Sequence, residues 1–269
     1  MKITKPKGTL VPIGGGGDGK DILKRIVKET GKRKANICYI TVATSSLLEA
    51  KQNHKKFIGD MGENSVSVIH FNSHGEADTD ENLEKVKKCD AVLIGGGNQL
   101  RLSSLLGGTA LLAEIKRRYY DESDFVISGS SAGATAMSST MILSGNSEDA
   151  LVKGELQLTN GLNLINNMVI DTHFSERGRF GRLIQTVAYN PGVLGLGLSA
   201  NTAAIIYKGE KLEVIGAGFA VIVDGTLIEY SNLTEVSDGE PITIEGLKMH
   251  VLGPEKCFLI NERKIKATK

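Results

Sequence analysis

Phe125-Val126-Ile127-Ser128 runs without a break into Gly129-Ser130-Ser131-Ala132-Gly133-Ala134, and this junction constrains the fold more than any other stretch. A β-type apolar run ends, small residues follow at once, and a helix-compatible segment, Ala132 to Met141, begins. The pattern G-x-S-x-G fits a tight strand-to-helix turn that lifts one side chain, Ser131, clear of a sheet. Such a turn is strained and its neighbours pass close to the backbone, so glycines are needed on both flanks. The first N–H groups of the following helix then lie beneath the serine oxygen. The bare pattern also arises in Gly/Ser-rich loops. Its weight here comes from its place between a buried-type strand and a helix.

Short apolar runs at Thr9–Ile13, Ile37–Val42, Val66–Phe71, Ala91–Ile94 and Phe125–Ser128 alternate with amphipathic stretches at Lys20–Thr30, Ser46–Met61, Asp80–Lys88 and Leu106–Tyr119. The runs are continuous rather than alternating, as in strands covered on both faces. Together these predict an α/β fold: a doubly wound, mostly parallel sheet with right-handed crossovers. Beyond about residue 190 the texture becomes closely spaced strands, a β-rich C-terminal extension. Val193–Leu196, Thr202–Tyr207, Leu212–Ile215, Ala220–Val223, Thr226–Tyr230, Lys248–Val251 and Phe258–Ile260 are predicted there, with Lys208-Gly209 and Asp224-Gly225 as hairpin turns. No Pro/Ser-rich linker or internal repeat interrupts the chain, which predicts one domain over 1–269.

Charge excludes some partners. With 32 basic and 31 acidic residues the net charge is +1, so no global field favours nucleic acid or an anionic membrane. Three cysteines, Cys38, Cys89 and Cys257, are odd in number and widely spaced, which argues against a disulfide framework and a C-x-x-C metal site. No metal and no cofactor are expected. The N-terminus lacks an apolar signal region and no apolar run has membrane-span length, so a cytoplasmic setting is the simplest expectation.

Gly14-Gly15-Gly16-Gly17-Asp18-Gly19 satisfies G-x-G-x-x-G between a strand and a helix. A dinucleotide site also wants an acid at the end of the second strand, where this chain has Thr41-Val42-Ala43-Thr44-Ser45. A nucleotide-dependent oxidoreductase is therefore disfavoured, and the loop reads as a pocket-shaping turn at the carboxyl edge of the sheet. Gly95-Gly96-Gly97-Asn98-Gln99 follows the fourth strand at the same edge. The N–H of Gly96 or Gly97, Gly97 by preference, and that of Ala132 could form an oxyanion hole beside Ser131, with the Gln99 amide pointing into the site.

A serine nucleophile needs a base. His54 lies in a polar helix face, and His70, His74 and His250 have no supporting motif. His173 ends the run Met168-Val169-Ile170-Asp171-Thr172 and precedes Phe174-Ser175-Glu176-Arg177-Gly178-Arg179-Phe180-Gly181-Arg182. A lone His at a strand end is commonly structural. Three arginines across a glycine-softened turn instead suggest a pocket built for a carboxylate, against the blander reading of a basic helix face.

The stretches Ile94–Gln99, Gly129–Ala134 and Asp171–Arg182 together resemble the cyanophycinases, of the dipeptidase E-like serine peptidases. The order of matching motifs covers nearly the whole chain, and the third motif is the specific one. The resemblance implies a fold like class I glutamine amidotransferases, a homodimer, and no metal. It implies a serine exopeptidase acting on cyanophycin, a poly-aspartate with arginine on its side chains, and releasing β-Asp-Arg dipeptides. It makes Ser131 the nucleophile and His173 the base, with Gln99, Asp171, Thr172, Arg177, Arg179 and Arg182 lining the pocket for the β-aspartyl unit. Two positions depart from the family. Thr172 stands where the family usually has Gln, and Ala200 stands where relatives usually carry an acid that orients the histidine. Loss of such an acid costs up to roughly 10⁴-fold in turnover. An engineered substitution, a naturally weak homologue and an acid recruited from elsewhere, with Glu148 and Asp149 the first candidates, all explain Ala200; the first is favoured because the rest of the site is complete. An α-aspartyl dipeptidase of the dipeptidase E type and a silent protein binding cyanophycin or acidic peptides are the alternatives.

Overall fold

The computed structural model describes residues 5–16, 19–145 and 150–266, with the side chains of Leu47 and His54 excepted. Gly17, Asp18, Glu148 and Asp149 therefore lie outside the described residues, as does the expected polar setting of His54. In chain order the strands are β1 (Thr9–Ile13), β2 (Asn36–Ile40), β3 (Ser65–Ile69), β4 (Ala91–Ile94), β5 (Val126–Ser130), β6 (Thr140–Ser144), β7 (Gln157–Asn160), β8 (Met168–Thr172), β9 (Leu194–Leu198), β10 (Thr202–Tyr207), β11 (Lys211–Gly216) and β12 (Ala220–Asp224). The C-terminal strands are β13 (Tyr230–Ser231), β14 (Ile244–Glu245), β15 (Lys248–Leu252), β16 (Cys257–Leu259) and β17 (Lys264–Ile265). The helices are α1 (Lys20–Glu29), α2 (Leu47–Met61), α3 (Asp80–Lys88), α4 (Gln99–Leu106), α5 (Ala110–Asp121), α6 (Ala132–Thr135) and α7 (Phe180–Tyr189).

Two sheets carry the architecture. The first has nine strands in the order β17-β16-β11-β10-β1-β5-β4-β2-β3. Strands β1, β5, β4, β2 and β3 are mutually parallel, and the C-terminal extension continues the sheet antiparallel from β1. The continuous apolar runs follow from burial on both faces. Val11, Tyr39, Leu93 and Val126 face the layer of α1 and α2, while Leu10, Cys38, Val92 and Ile127 face the opposite layer. The predicted α/β fold with parallel strands and a β-rich C-terminal extension is the one observed, the main sheet being mixed: parallel from β1 to β3 and antiparallel from β1 to β17.

The second sheet has the order β15-β12-β9-β8, with β8 and β9 parallel. Its strand β9 reads Leu194-Gly195-Leu196-Gly197-Leu198. The leucines enter the main core, whereas a Cβ on Gly195 or Gly197 would collide with Leu183 of α7 or with the Phe174 ring. Alternate glycines thus let α7 and Phe174 settle directly on the strand.

Several local expectations are corrected. The segment Ala132–Met141 forms only the short α6, because the carbonyls of Ala136 and Met137 accept N–H groups from Leu162, Leu164 and Ile165, and the chain then enters β6. The helix expected over Leu106–Tyr119 is α4 followed by α5; Thr109 caps α5, its side chain accepting from the Leu112 N–H. Lys208 and Gly209, at φ +53° and +66°, turn β10 into β11 as expected. Asp224-Gly225 makes no hairpin: β12 pairs with β9 and β15, and the Asp224 carboxylate accepts from Thr226 and pairs with Arg263. Thr226–Ile228 accordingly form no strand. Cys38, Cys89 and Cys257 are free thiols. Among the described residues no helix is long and apolar enough to cross a membrane.

Candidate active site

Ser131 follows β5 at φ +52°, ψ −115°, a conformation that costs an L-residue on the order of 1–3 kcal/mol. Its N–H donates to the Ile13 carbonyl (3.0 Å), and its own carbonyl accepts from Ala134 and Thr135. The flanking glycines are required sterically. A Cβ on Gly133 would overlap the Ile94 carbonyl, and one on Gly129 would lie 2.6 Å from the Gly133 oxygen. The turn is the elbow that the G-x-S-x-G pattern called for.

His173 arrives from the other sheet, directly after β8, and its Nε2 lies 3.1 Å from Ser131 Oγ. Backbone contacts hold it there. Its N–H donates to the Gly14 carbonyl (2.8 Å), while the Asn201 N–H donates to the Gly15 carbonyl (2.8 Å). Gly15 sits at φ +89°, and a Cβ there would run into the imidazole. The first glycine loop is therefore a platform for the His173 ring. Gly15→Ala both strains the backbone and pushes the ring aside, and a displacement near 1 Å at a reacting pair costs about 100-fold. Reaction of Ser131 with a fluorophosphonate is expected to slow by roughly that factor; an unchanged rate would show that the ring does not rest on Gly15.

Burial holds the His173 imidazole below its ordinary pKa, and Arg177 and Arg179 push the same way, opposed by Glu176 and Asp171. At neutral pH the ring is thus in the uncharged form that can accept a proton. Among the described residues His173 Nδ1 has no hydrogen-bond partner.

Of the two candidate glycines, Gly96 is the one that packs on Ser131: a Cβ there would lie 3.3 Å from Ser131 Cβ. Gly97 is turned onto the Ala43 carbonyl instead. The N–H groups of Gly96, Gly97 and Ala132 have no hydrogen-bond acceptor among the described residues, and so are available to an incoming oxygen. Beside Gly96 and Ser130 opens a cavity of about 310 Å³, also lined by Tyr39, Glu49 and Asn53.

The arginine-rich segment is arranged differently from the expectation. Asp171 is fully buried, and its carboxylate pairs with Arg182 through Nε (2.6 Å) and Nη2 and with Arg179 Nη1 (3.2 Å). Arg182 and Thr172 are buried too. These three residues therefore brace the pocket from behind and do not line it. Arg179 also donates to the Thr172 carbonyl (2.6 Å) and remains partly open; burial pulls its pKa down to about 10. Arg177 is exposed beside it. Gln99 does not aim its amide nitrogen into the site: Nε2 donates to the Leu143 carbonyl (2.9 Å) and ties α4 to β6.

Ala200 lies at the turn between β9 and β10, its methyl against Gly16. It supplies no carboxylate, and its N–H donates to Glu176 Oε2 (3.1 Å). The motif Phe174–Arg182 by itself assigns Glu176 no role. Its signal was present: an acid three residues after the candidate base.

The profile of peptidase family S51 matches residues 10–215. A cyanophycinase from Geminocystis herdmanii (strain PCC 6308) is 32% identical over 250 residues, covering 92% of this chain and 92% of that one. A cyanophycinase from Synechococcus elongatus is 30% identical over 262 residues, covering 96% of this chain and 81% of that one. Among solved structures, a peptidase from an acI-B1 Actinobacterium superposes with a TM-score of 0.66 at 21% identity, covering 82% of this chain and 93% of that one.

Proposed function

This chain belongs to peptidase family S51, and on that premise we propose that it is a serine peptidase that cleaves cyanophycin and releases β-Asp-Arg dipeptides. The observation that carries the reading is the 3.1 Å contact between Ser131 Oγ and His173 Nε2 at a strained elbow. Ser131 Oγ attacks the scissile carbonyl while His173 Nε2 takes its proton. The tetrahedral oxygen is received by the N–H of Ala132 and one from Gly96 or Gly97. The C–N bond then breaks, His173 returns the proton to the leaving amine, and water hydrolyses the ester on Ser131 by the same route reversed. Arg179, braced on Asp171 and the Thr172 carbonyl, presents its guanidinium with Arg177 to a carboxylate of the substrate. The chain is read as one domain, since β10, β11, β16 and β17 continue the sheet that β1 and β5 begin.

Ala200 makes this chain a weakened member. Without an acid on Nδ1 the imidazolium formed during attack is poorly stabilised. Ala200→Glu is expected to raise the release of β-Asp-Arg from purified cyanophycin by at least roughly tenfold. That Nδ1 has no partner among the described residues also favours a second reading, a protein that binds acidic peptides without turnover. That reading wins if both forms are inert and Ser131 fails to react with a fluorophosphonate.

A further inference from the structure

The turn after β8 brings a carboxylate back towards His173. The Arg177 N–H donates to the His173 carbonyl (3.1 Å) and the Arg179 N–H to the Phe174 carbonyl (3.0 Å), so the chain coils and Glu176 lies about one helical turn from the histidine. An exposed glutamate needs no fixed partners, yet this one has several. Its Oε2 accepts from the Ala200 N–H (3.1 Å) and its Oε1 from the Ser175 hydroxyl (2.9 Å). Ser175 is in turn 2.9 Å from the Ser199 hydroxyl. With Ser175 giving its single proton to the carboxylate, Ser199 is the donor in that second bond.

We propose that Glu176 is the positioning residue for His173, its carboxylate docked on the Ala200 N–H where the side chain at position 200 offers none. The inference rests on the Ser131–His173 reading of the site. Ala200 touches Gly16, and Gly15 carries the imidazole, so the docking point adjoins the ring. Four charged groups act on that ring: Arg177, Arg179, Glu176 and Asp171. Both arginines oppose an imidazolium. Asp171 favours one, but its charge is answered by two guanidinium groups. The hydrogen bonds of Glu176 come from a neutral N–H and a hydroxyl, which leave its charge to balance a protonated His173. Against the upward push of burial, these bonds and His173 hold the Glu176 carboxyl below the usual range, so it is ionised at neutral pH.

The test is Glu176→Gln, which keeps an oxygen for the Ala200 N–H and loses the charge, the Ser175 hydroxyl turning to accept from the new amide nitrogen. Two quantities are followed in the full chain: fluorophosphonate labelling of Ser131 against pH, and the His173 titration by NMR, assigned with His173→Gln. The variant is expected to lower the His173 pKa and to slow labelling by roughly 10- to 100-fold. Glu176→Asp restores part of the rate, and adding Ala200→Glu to Glu176→Gln restores most of it. A titration and a labelling rate both unchanged in Glu176→Gln would overturn the proposal and leave Glu176 as a cap on the β9–β10 turn. No labelling even in the unaltered chain would overturn the peptidase reading instead, and the His173 titration would still decide whether the Glu176 charge acts on the ring.

Discussion

Ser131→Ala is expected to lower β-Asp-Arg release by roughly 10²- to 10⁴-fold, with the fold intact. Among the described residues the Oγ has one hydrogen-bond partner, His173 Nε2, so its loss strands no deeply buried group. Alanine meets the same backbone cost at φ +52° as serine does, and the unfolding free energy should move by no more than about 1 kcal/mol. The catalytic loss is held below the ~10⁶-fold extreme for nucleophile removal because groups acting as a unit are not additive. A chain already lacking the acid at position 200 has less to lose. In an Ala200→Glu background the same substitution should cost more, and that widening is the discriminating result. Steady-state turnover with thermal unfolding of the same samples measures both. Turnover retained within tenfold would remove Ser131 from the chemistry.

Asp171→Ala should destabilise the protein by roughly 3–5 kcal/mol. The carboxylate is fully buried between Arg182 and Arg179, and Arg182 is itself 8% exposed. Removing the acid leaves a guanidinium in the interior with its counter-charge gone, which is costlier than having no ion pair at all. Asp171→Leu combined with Arg182→Met should therefore lose less stability than Asp171→Ala alone. Urea unfolding of the three forms decides it. A loss below about 1 kcal/mol for Asp171→Ala would mean that water reaches the pair. Turnover should fall as well, since Arg179 leans on the same carboxylate.

Both predictions use residues that stand out in the sequence, but for different reasons. Ser131 was legible because its chemistry is local: Gly129 and Gly133 are demanded by carbonyls a few residues away or on the adjacent strand. The strands were legible because Leu10 and Val11, or Val92 and Leu93, must each find a separate buried layer. Asp171, Thr172 and Arg182 were legible as a cluster and misplaced as pocket lining. A buried ion pair and an open anion site call for the same residue types. Only the burial of Arg182, on the inner side of α7, separates the two. Gln99 went astray similarly, because its acceptor, the Leu143 carbonyl, lies 44 positions away on a strand that the pattern read as helix in part.

The amino-acid sequence by itself determined the elements whose causes are short-range: continuous apolar strands, the glycine-flanked elbow, the Lys208-Gly209 hairpin and the absence of any acid in the Ala200 side chain. The tertiary structure decided what met what. Ser131 ends a strand of one sheet and His173 a strand of the other. They are joined through backbone bonds from His173 to Gly14 and from Asn201 to Gly15. Those bonds link segments more than a hundred residues apart, and backbone groups look alike in every sequence. Which carbonyl takes which N–H is therefore set by how the two sheets pack, and that packing also places Glu176 against the N–H of Ala200.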